Sequence, residues 1–253
     1  MGGVRSSLRP NPRRSRSSRV VELRLLNSFE LIDDGARVAL PMSGQRLVAF
    51  VALHERSLRR AYVAGSLWPE TSDQQAAANL RSTLWRVRCR SSTLLDASGQ
   101  RLQLGPDVLV DLREAERLAW QELDGSAETG EPCDQRMFAG DLLPDWYDDW
   151  VPLERERFRQ IRLRALDVLC ERHARAGRIT QALEAGLLSV AGEPLRESAH
   201  RGVVRVHLAD ANTGEALRQY RLCRKLLAEQ LGVEPSEQMR RLVAGLEGME
   251  TER

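Results

Sequence analysis

Residues 76–90 read Ala-Ala-Ala-Asn-Leu-Arg-Ser-Thr-Leu-Trp-Arg-Val-Arg-Cys-Arg and carry four arginines, with no acidic residue between Asp73 and Asp96. Stepped at about 100° per residue, the stretch is a helix with two unlike sides. Leu84, Val87 and Ala77 share a side with Leu80. Ser82, Cys89, Arg86, Gln75 and Asn79 fall opposite, and Arg81, Arg88 and Arg90 flank the seam. A helix that buries one face and offers Arg, Asn, Gln and Ser from the other has the chemistry of a major-groove reader. Arg bonds guanine with a two-pronged fork, Asn and Gln bond adenine, and further cations meet phosphates. By helical phase, Asn79, Ser82 and Arg86 are the candidates for base edges. Arg81, Arg88 and Arg90 are the candidates for phosphates. Trp85 is expected to pack beneath a following hairpin, as aromatics at helical spacing usually do, with a sugar contact as the alternative. Arg46, Arg59 and Arg60 are further candidates for phosphate contact. A solvated basic surface helix has the same composition, so the neighbouring elements must decide.

Those elements are legible. Val20–Leu31 alternates as strands do, Asp33-Asp34-Gly35 is a hairpin turn signal, and Arg37–Leu40 follows as a strand. Ser43 is placed to cap a helix over Gly44–Glu55, whose Leu47, Val48, Val51 and Ala52 form an apolar face. A second helix over Arg59–Leu67 is stopped at Trp68-Pro69. Ser72 or Asp73 caps the basic helix. Beyond it, Thr93–Asp96, a turn at Ala97-Ser98-Gly99 and Gln100–Leu104 make a hairpin, and Val108–Asp111 adds a strand. Strands, three helices and a hairpin, in that order, predict a winged helix. Its third helix enters the major groove and its hairpin tip, including Arg101, lies over an adjacent groove or backbone.

The charge distribution agrees. The chain has 253 residues and a net charge of +2, yet residues 1–110 hold 17 Arg against 9 acidic residues, while residues 111–253 hold 21 basic residues against 27 acidic ones. A basic front half and an acidic back half predict a polyanion-binding domain joined to one with a different partner. One Lys among 38 basic residues points to a coding bias toward Arg, so individual arginines carry less weight as base readers. Residues 1–19 hold six Arg and no acid, without an apolar segment behind them, and are expected to be a disordered basic arm. Cys89, Cys133, Cys170 and Cys223 have no CxxC spacing and are expected to be free thiols in a reducing cytoplasm. No apolar run reaches the length of a membrane span. His54, His173, His200 and His207 show no metal-ligand spacing, and no Gly-rich phosphate loop or GxSxG occurs. No enzyme, metal or cofactor is expected. The acidic cluster Asp145, Asp148 and Asp149 is read as surface around a core of Trp146 and Trp150.

From Leu112 onward the pattern is helical, with a short helix over Glu114–Leu123, a polar loop over Gly125–Pro132 and a long helix from about Pro152 to Ala176. An echo at 34 residues matches Ala182-Leu183 with Ala216-Leu217. Leu169, Ala182 and Pro194 sit at the relative spacings of a tetratricopeptide unit, a helical hairpin that stacks into solenoids. Gly177, Gly192 and Gly232 are placed at helix ends, and Ser236 caps a last helix.

Several motifs together carry a family resemblance. Leu67-Trp-Pro69 and Ala78-Asn-Leu-Arg-Ser-Thr-Leu-Trp-Arg-Val-Arg88 occur in the first half. The second half holds Phe138-Ala-Gly-Asp-Leu-Leu-Pro144, Trp150-Val-Pro-Leu-Glu-Arg-Glu-Arg157, Glu193-Pro-Leu-Arg-Glu-Ser-Ala-His200, Glu215-Ala-Leu-Arg-Gln-Tyr220 and Glu229-Gln-Leu-Gly-Val-Glu-Pro235. Over residues 20–248 the chain resembles the SARP, or AfsR-type, transcriptional regulators of actinobacteria in their short two-domain form. It departs from them at Ala211-Asn212, where Gly-Asn is common, and at the wing tip Gln100-Arg-Leu, where an aromatic is frequent.

The resemblance implies an α+β winged helix over residues 20–111, followed by an all-α tetratricopeptide-like activator domain over residues 112–253. The implied function is a sequence-specific transcriptional activator of a biosynthetic gene cluster, without the ATPase and sensor regions of longer relatives. Its implied partners are promoter DNA carrying direct repeats, RNA polymerase holoenzyme, and a second copy of itself on DNA. The expected DNA contacts are Asn79, Arg81, Ser82, Arg86, Arg88, Arg90 and Arg101. A tetratricopeptide-like scaffold whose basic front domain binds an acidic protein is the competing reading.

Overall fold

The computed structural model describes residues 20–126 and 134–246. The basic arm, Cys133 and most of the polar loop lie outside the described residues. The chain divides into two compact units. The first takes the chain through Leu23 and Glu30–Leu109, and the second takes Arg24–Phe29 and the residues from Val110 on.

In the first unit, β1 (Val21–Arg24), β2 (Glu30–Asp33), β3 (Ala36–Arg37) and β7 (Val108–Val110) form one sheet in the order β3-β2-β1-β7. Asp33 pairs with Ala36, which leaves a two-residue loop. Asp34 and Gly35 fill it with φ of 53° and 77°, the left-handed pair that a tight hairpin requires and that Asp and Gly tolerate. Helix α1 (Met42–Ala52) follows. Its cap is Pro41, and Ser43 makes no cap, contrary to expectation. The extended Pro41 backbone already provides the half-in position, and its carbonyl accepts from the amides of Gly44 and Gln45 at 2.8 and 3.0 Å. The Ser43 hydroxyl therefore comes two residues too late.

Helix α2 (Arg60–Leu67) ends at Trp68, before Pro69, and helix α3 (Asp73–Arg90) begins at Ser72. The Ser72 hydroxyl accepts from the Gln75 amide at 3.3 Å. A second, three-stranded sheet has the order β4-β6-β5, from β4 (Leu58–Arg59), β5 (Leu95–Asp96) and β6 (Arg101–Leu104). Strand β4 escapes a sequence reading because two residues carry no alternation. It exists because Leu58 and Arg59 pair with Leu102 and Arg101. Leu47, Val51, Leu58, Val63, Leu67, Leu80, Leu94 and Leu102 are buried together as the core of this unit. At Gly105 any side chain is excluded, because an added Cβ would stand 2.0 Å from the Thr93 carbonyl oxygen.

The second unit is all-helical apart from the bridge Leu26–Leu142. It comprises α4 (Asp111–Asp124), a 3-10 turn (Gln135–Phe138), α5 (Val151–Arg175), α6 (Ile179–Gly192), α7 (Glu197–Ala209), α8 (Thr213–Leu231) and α9 (Glu237–Val243). Helix α4 starts three residues earlier than the periodicity indicates. The Asp111 carboxylate fixes that start by accepting from the amides of Leu25, Leu26 and Leu112 at 2.8, 3.0 and 2.7 Å. Trp146 and Trp150 are only half-buried, contrary to the expectation of a tryptophan core. Trp146 stacks on Phe29 at 6.0 Å and meets Trp150 edge-on at 6.1 Å, while Phe138 occupies the interior. Among the described residues no group of three or more His, Cys, Asp or Glu is placed to hold a metal, and no helix is long and apolar enough to cross a membrane.

The 34-residue echo is structural. Ala182 and Ala216 are each the fourth residue of α6 and α8, and both are fully buried. The turns leading into those helices repeat as well. Gly177 and Arg178 donate to Ala174 and His173, and Ala211 and Asn212 donate to Leu208 and His207, the same Schellman pattern 34 residues apart. The left-handed position is Gly177 in the first copy (φ 70°) and Ala211 in the second (φ 54°). An L-residue there costs about 1–2 kcal/mol, part of which glycine returns through unfolded-chain entropy. Ala211 is exposed, so nothing packs on its methyl. Ala211→Gly is therefore expected to stabilise the protein by about 0.5–1 kcal/mol, read as a raised midpoint in urea at unchanged slope. A lowered midpoint would show that the turn is unstrained.

Candidate nucleic-acid interface

Helix α3 buries Ala76, Leu80, Thr83, Leu84 and Val87. Leu80, Leu84 and Val87 are buried as the helical phase indicates, but Ala76 and Thr83 take the place of Ala77, which is half-buried, so the seam is turned by roughly 35° toward the Arg86 and Arg90 side. Arg81, Ser82, Arg86, Arg88, Cys89 and Arg90 are all exposed, and Asn79 is half-buried at the margin. Trp85 is the departure. It is 68% exposed, on the outward face among the arginines and not under the hairpin. The elements packed against α3 are α1 and α2, and Trp85 points away from the buried seam.

The polar groups of this face differ in their freedom. Among the described residues, Arg81, Arg86, Arg88 and Arg90 have no hydrogen bond or ion pair. The Asn79 side-chain oxygen accepts from Gln75 Nε2 at 3.1 Å, and the Ser82 hydroxyl donates to the Asn79 carbonyl at 3.0 Å. These two can meet a base only by exchanging those bonds. Of the other candidate cations, Arg46 donates to the Leu67 carbonyl at 3.2 Å and Arg60 to the Ala97 carbonyl at 2.7 Å. Both hold the fold together. Arg59 is exposed on β4.

The β5–β6 hairpin forms the wing. Asp96 pairs with Gln103, and its carboxylate accepts from the Ser98 amide and Gln103 Nε2, each at 3.1 Å. The bonds from Ser98 and Gln103 hold its carboxyl below the usual aspartate range, with a smaller contribution from the Arg88 charge. Gly99 turns the tip at φ 61°. Arg101 is not a free cation. Its Nε donates to Ser57 Oγ at 2.7 Å and an Nη to the Ser57 carbonyl at 3.3 Å, so it ties the wing to the segment before β4.

The second unit treats its arginines differently. Arg159, Arg172, Arg196 and Arg201 pair with Glu193, Glu122, Asp167 and Glu197 at 2.5–3.0 Å. Arg162 is buried against Asp141 and the Phe138 carbonyl. The exposed arginines of α3, which have no ion pair among the described residues, stand in contrast to these cations, each matched by an acid.

Three helices with a hairpin wing, followed by a repeat-like helical unit, are the architecture of a winged-helix regulator with a tetratricopeptide-like domain. The bacterial transcriptional activator domain matches residues 110–246, more than half of the chain, and the chain belongs to that family of SARP-type regulators. Two curated relatives are the regulatory protein AfsR of Streptomyces griseus and of Streptomyces coelicolor. The first is 24% identical over 230 residues, covering 87% of this chain and 23% of the relative. The second is 26% identical over 215 residues, covering 80% and 22%. The chain thus spans under a quarter of the length of these relatives. Among solved structures, Mycobacterium tuberculosis EmbR, in complex with a low affinity phosphopeptide, shares the fold with a TM-score of 0.69 at 19% identity, over 92% of this chain and 66% of that one.

The wing generates a local test. Because the Asp96 carboxyl titrates below its ordinary value, its ordering of the tip is present above about pH 4 and lost as pH falls through the depressed value. Asp96→Ala is expected to speed amide exchange at Ser98 at neutral pH while the melting temperature stays in place. Unchanged exchange would mean that the turn is ordered by Gly99 and the strand pairing alone.

Proposed function

We propose that this protein is a sequence-specific DNA-binding transcriptional activator whose helix α3 reads the major groove. The supporting observation is the outward face of α3, where Arg81, Arg86, Arg88 and Arg90 stand exposed without a partner among the described residues. By helical phase from Leu80, Arg86 is assigned to base edges, with Ser82 and Asn79 beside it. Arg81, Arg88 and Arg90 flank the seam and are assigned to phosphates. Arg101, held by Ser57, presents the wing and contacts DNA only at its periphery. The membership of residues 110–246 in the activator family supports a role for the second unit in contacting RNA polymerase and in pairing two copies on DNA. The resemblance to the SARP-type regulators extends the proposal to regulation of a biosynthetic gene cluster.

Head-to-tail placement of two copies keeps both recognition helices on one DNA face when half-sites are direct repeats about one helical turn apart. Footprinting is expected to protect two such repeats. Full-affinity protection of one isolated half-site would overturn the dimeric part of the proposal.

A salt titration on cognate and scrambled duplexes separates the arginine roles. Arg86→Ala is expected to cost about 1–3 kcal/mol on the cognate site and to relax preference at one base pair. Arg88→Ala is expected to weaken cognate and scrambled duplexes alike and to flatten the salt slope by about one unit. Neither position belongs to the buried seam, so both variants keep their fold. If both bind like wild type, α3 is not the reader and its basic face is a surface for an acidic protein.

A further inference from the structure

Trp85 is the one large aromatic on the outward face of α3, and the fold makes no evident use of it. Five side chains of the helix, from Ala76 to Val87, fill the core side, and the indole remains 68% exposed. An indole left in water forgoes the area that such rings normally bury. Exposed tryptophans that persist at a binding face are characteristic anchors of it. One turn back stand Arg81 and Ser82, one turn on stands Cys89, and Arg86 is adjacent. The ring also lines a hollow together with Ala39, Leu40, Pro41, Arg86, Cys89 and Arg90. An apolar plate beside cations that have no partner among the described residues fits a partner that is polyanionic overall and carries small apolar groups at regular places. In the major groove that group is the thymine 5-methyl, the apolar feature that distinguishes one base pair from the others.

Resting on the DNA-binding role proposed above, we infer that Trp85 is a specificity-determining residue that packs its indole on a thymine 5-methyl group, giving each half-site a preference for thymine that the arginines do not supply. The arginines choose guanines and phosphates through charge and hydrogen bonds. Trp85 contributes neither, so its effect must be insensitive to salt and tied to one methyl group. That separates it from a merely structural residue.

The experiment uses the full chain and duplexes enriched from a randomised pool, with each thymine replaced singly by deoxyuridine. Wild type is expected to lose about fourfold in affinity at one thymine per half-site, the effect of one buried methyl-sized group. Trp85→Ala should bind the unmodified duplex more weakly by at least that factor and show no further loss on the deoxyuridine duplex. Its salt slope should equal that of wild type, because no charge is removed. Trp85→Phe should keep part of the thymine preference. Because the ring is exposed, the melting temperature of both variants should stay in place, which separates loss of contact from loss of fold. Three results overturn the inference: no single deoxyuridine weakening wild type, Trp85→Ala retaining the deoxyuridine penalty, or Trp85→Ala binding as tightly as wild type, which would assign the ring to a protein contact. If the wild-type chain enriches no duplex and shows no salt-dependent binding, the DNA-binding proposal itself fails. If wild type binds and only the Trp85 or deoxyuridine arms are flat, that proposal stands and this inference alone falls.

Discussion

The apolar seam of α3 is the constraint on which the functional face depends. Leu80, Leu84 and Val87 are each at most 5% exposed, and burial of such side chains is worth about 1.5–3 kcal/mol apiece. Turning the helix by one residue would bring all three toward water and drive an arginine inward, where an unpaired guanidinium is far costlier than any of the leucines is worth. The rotation of the helix is thereby locked, and with it the set of side chains that look outward. Close approach of α1 reinforces the lock: at Gly44 an added Cβ would stand 3.2 Å from Val87 Cγ2. The chemistry of the outward face follows from the packing of the opposite one.

A second principle organises the helical unit, where charged side chains finish backbone that secondary structure leaves unpaired. Asp111 does so for Leu25 and Leu26. Burial pushes its carboxyl upward, and the three amides that bond it pull the other way. Arg155 donates to the carbonyls of Leu142, Leu143 and Trp146, and Arg162 to that of Phe138. The irregular run from Phe138 to Trp146 is therefore held by guanidinium forks from α5. This gives physical content to the family motifs. The stretch Trp150–Arg157 contributes Arg155, whose partners lie in and just after Phe138–Pro144. Likewise His200, in Glu193–His200, bonds the Pro194 carbonyl at 2.9 Å and Gln219, in Glu215–Tyr220, at 2.7 Å. Burial lowers the basicity of that imidazole. Its neutral form donates from Nε2 to Pro194 and accepts from Gln219 at Nδ1. Glu197 accepts from the amide and hydroxyl of Ser236, joining α7 to the start of α9. In this chain the motif residues are coupled because each satisfies a polar group of another.

Much of this was legible in the chain by itself. The sequence by itself determined the locally encoded features. The Asp34-Gly35 turn, the stop at Trp68-Pro69, the Ser72 and Ser236 caps and the buried stripe of α3 all depend on residues within a few positions of one another. The 34-residue echo was legible for the same reason, since its shared turn is built from His173–Arg178 and His207–Asn212 by the same local hydrogen bonds. Only the tertiary structure decided the rest. Strand β4 exists because partners 42 and 44 residues away pair with it, and Pro41 displaced Ser43 as a cap because of the path by which the chain enters α1. Arg60 and Arg101 were removed from the pool of free cations by Ala97 and Ser57, which lie 37 and 44 residues from them. Trp85 finds no pocket beneath α3, where α1 and α2 pack. Helical phase tells which way a side chain points. Whether there is room for it, or a carbonyl waiting for it, is set by elements that only folding brings alongside.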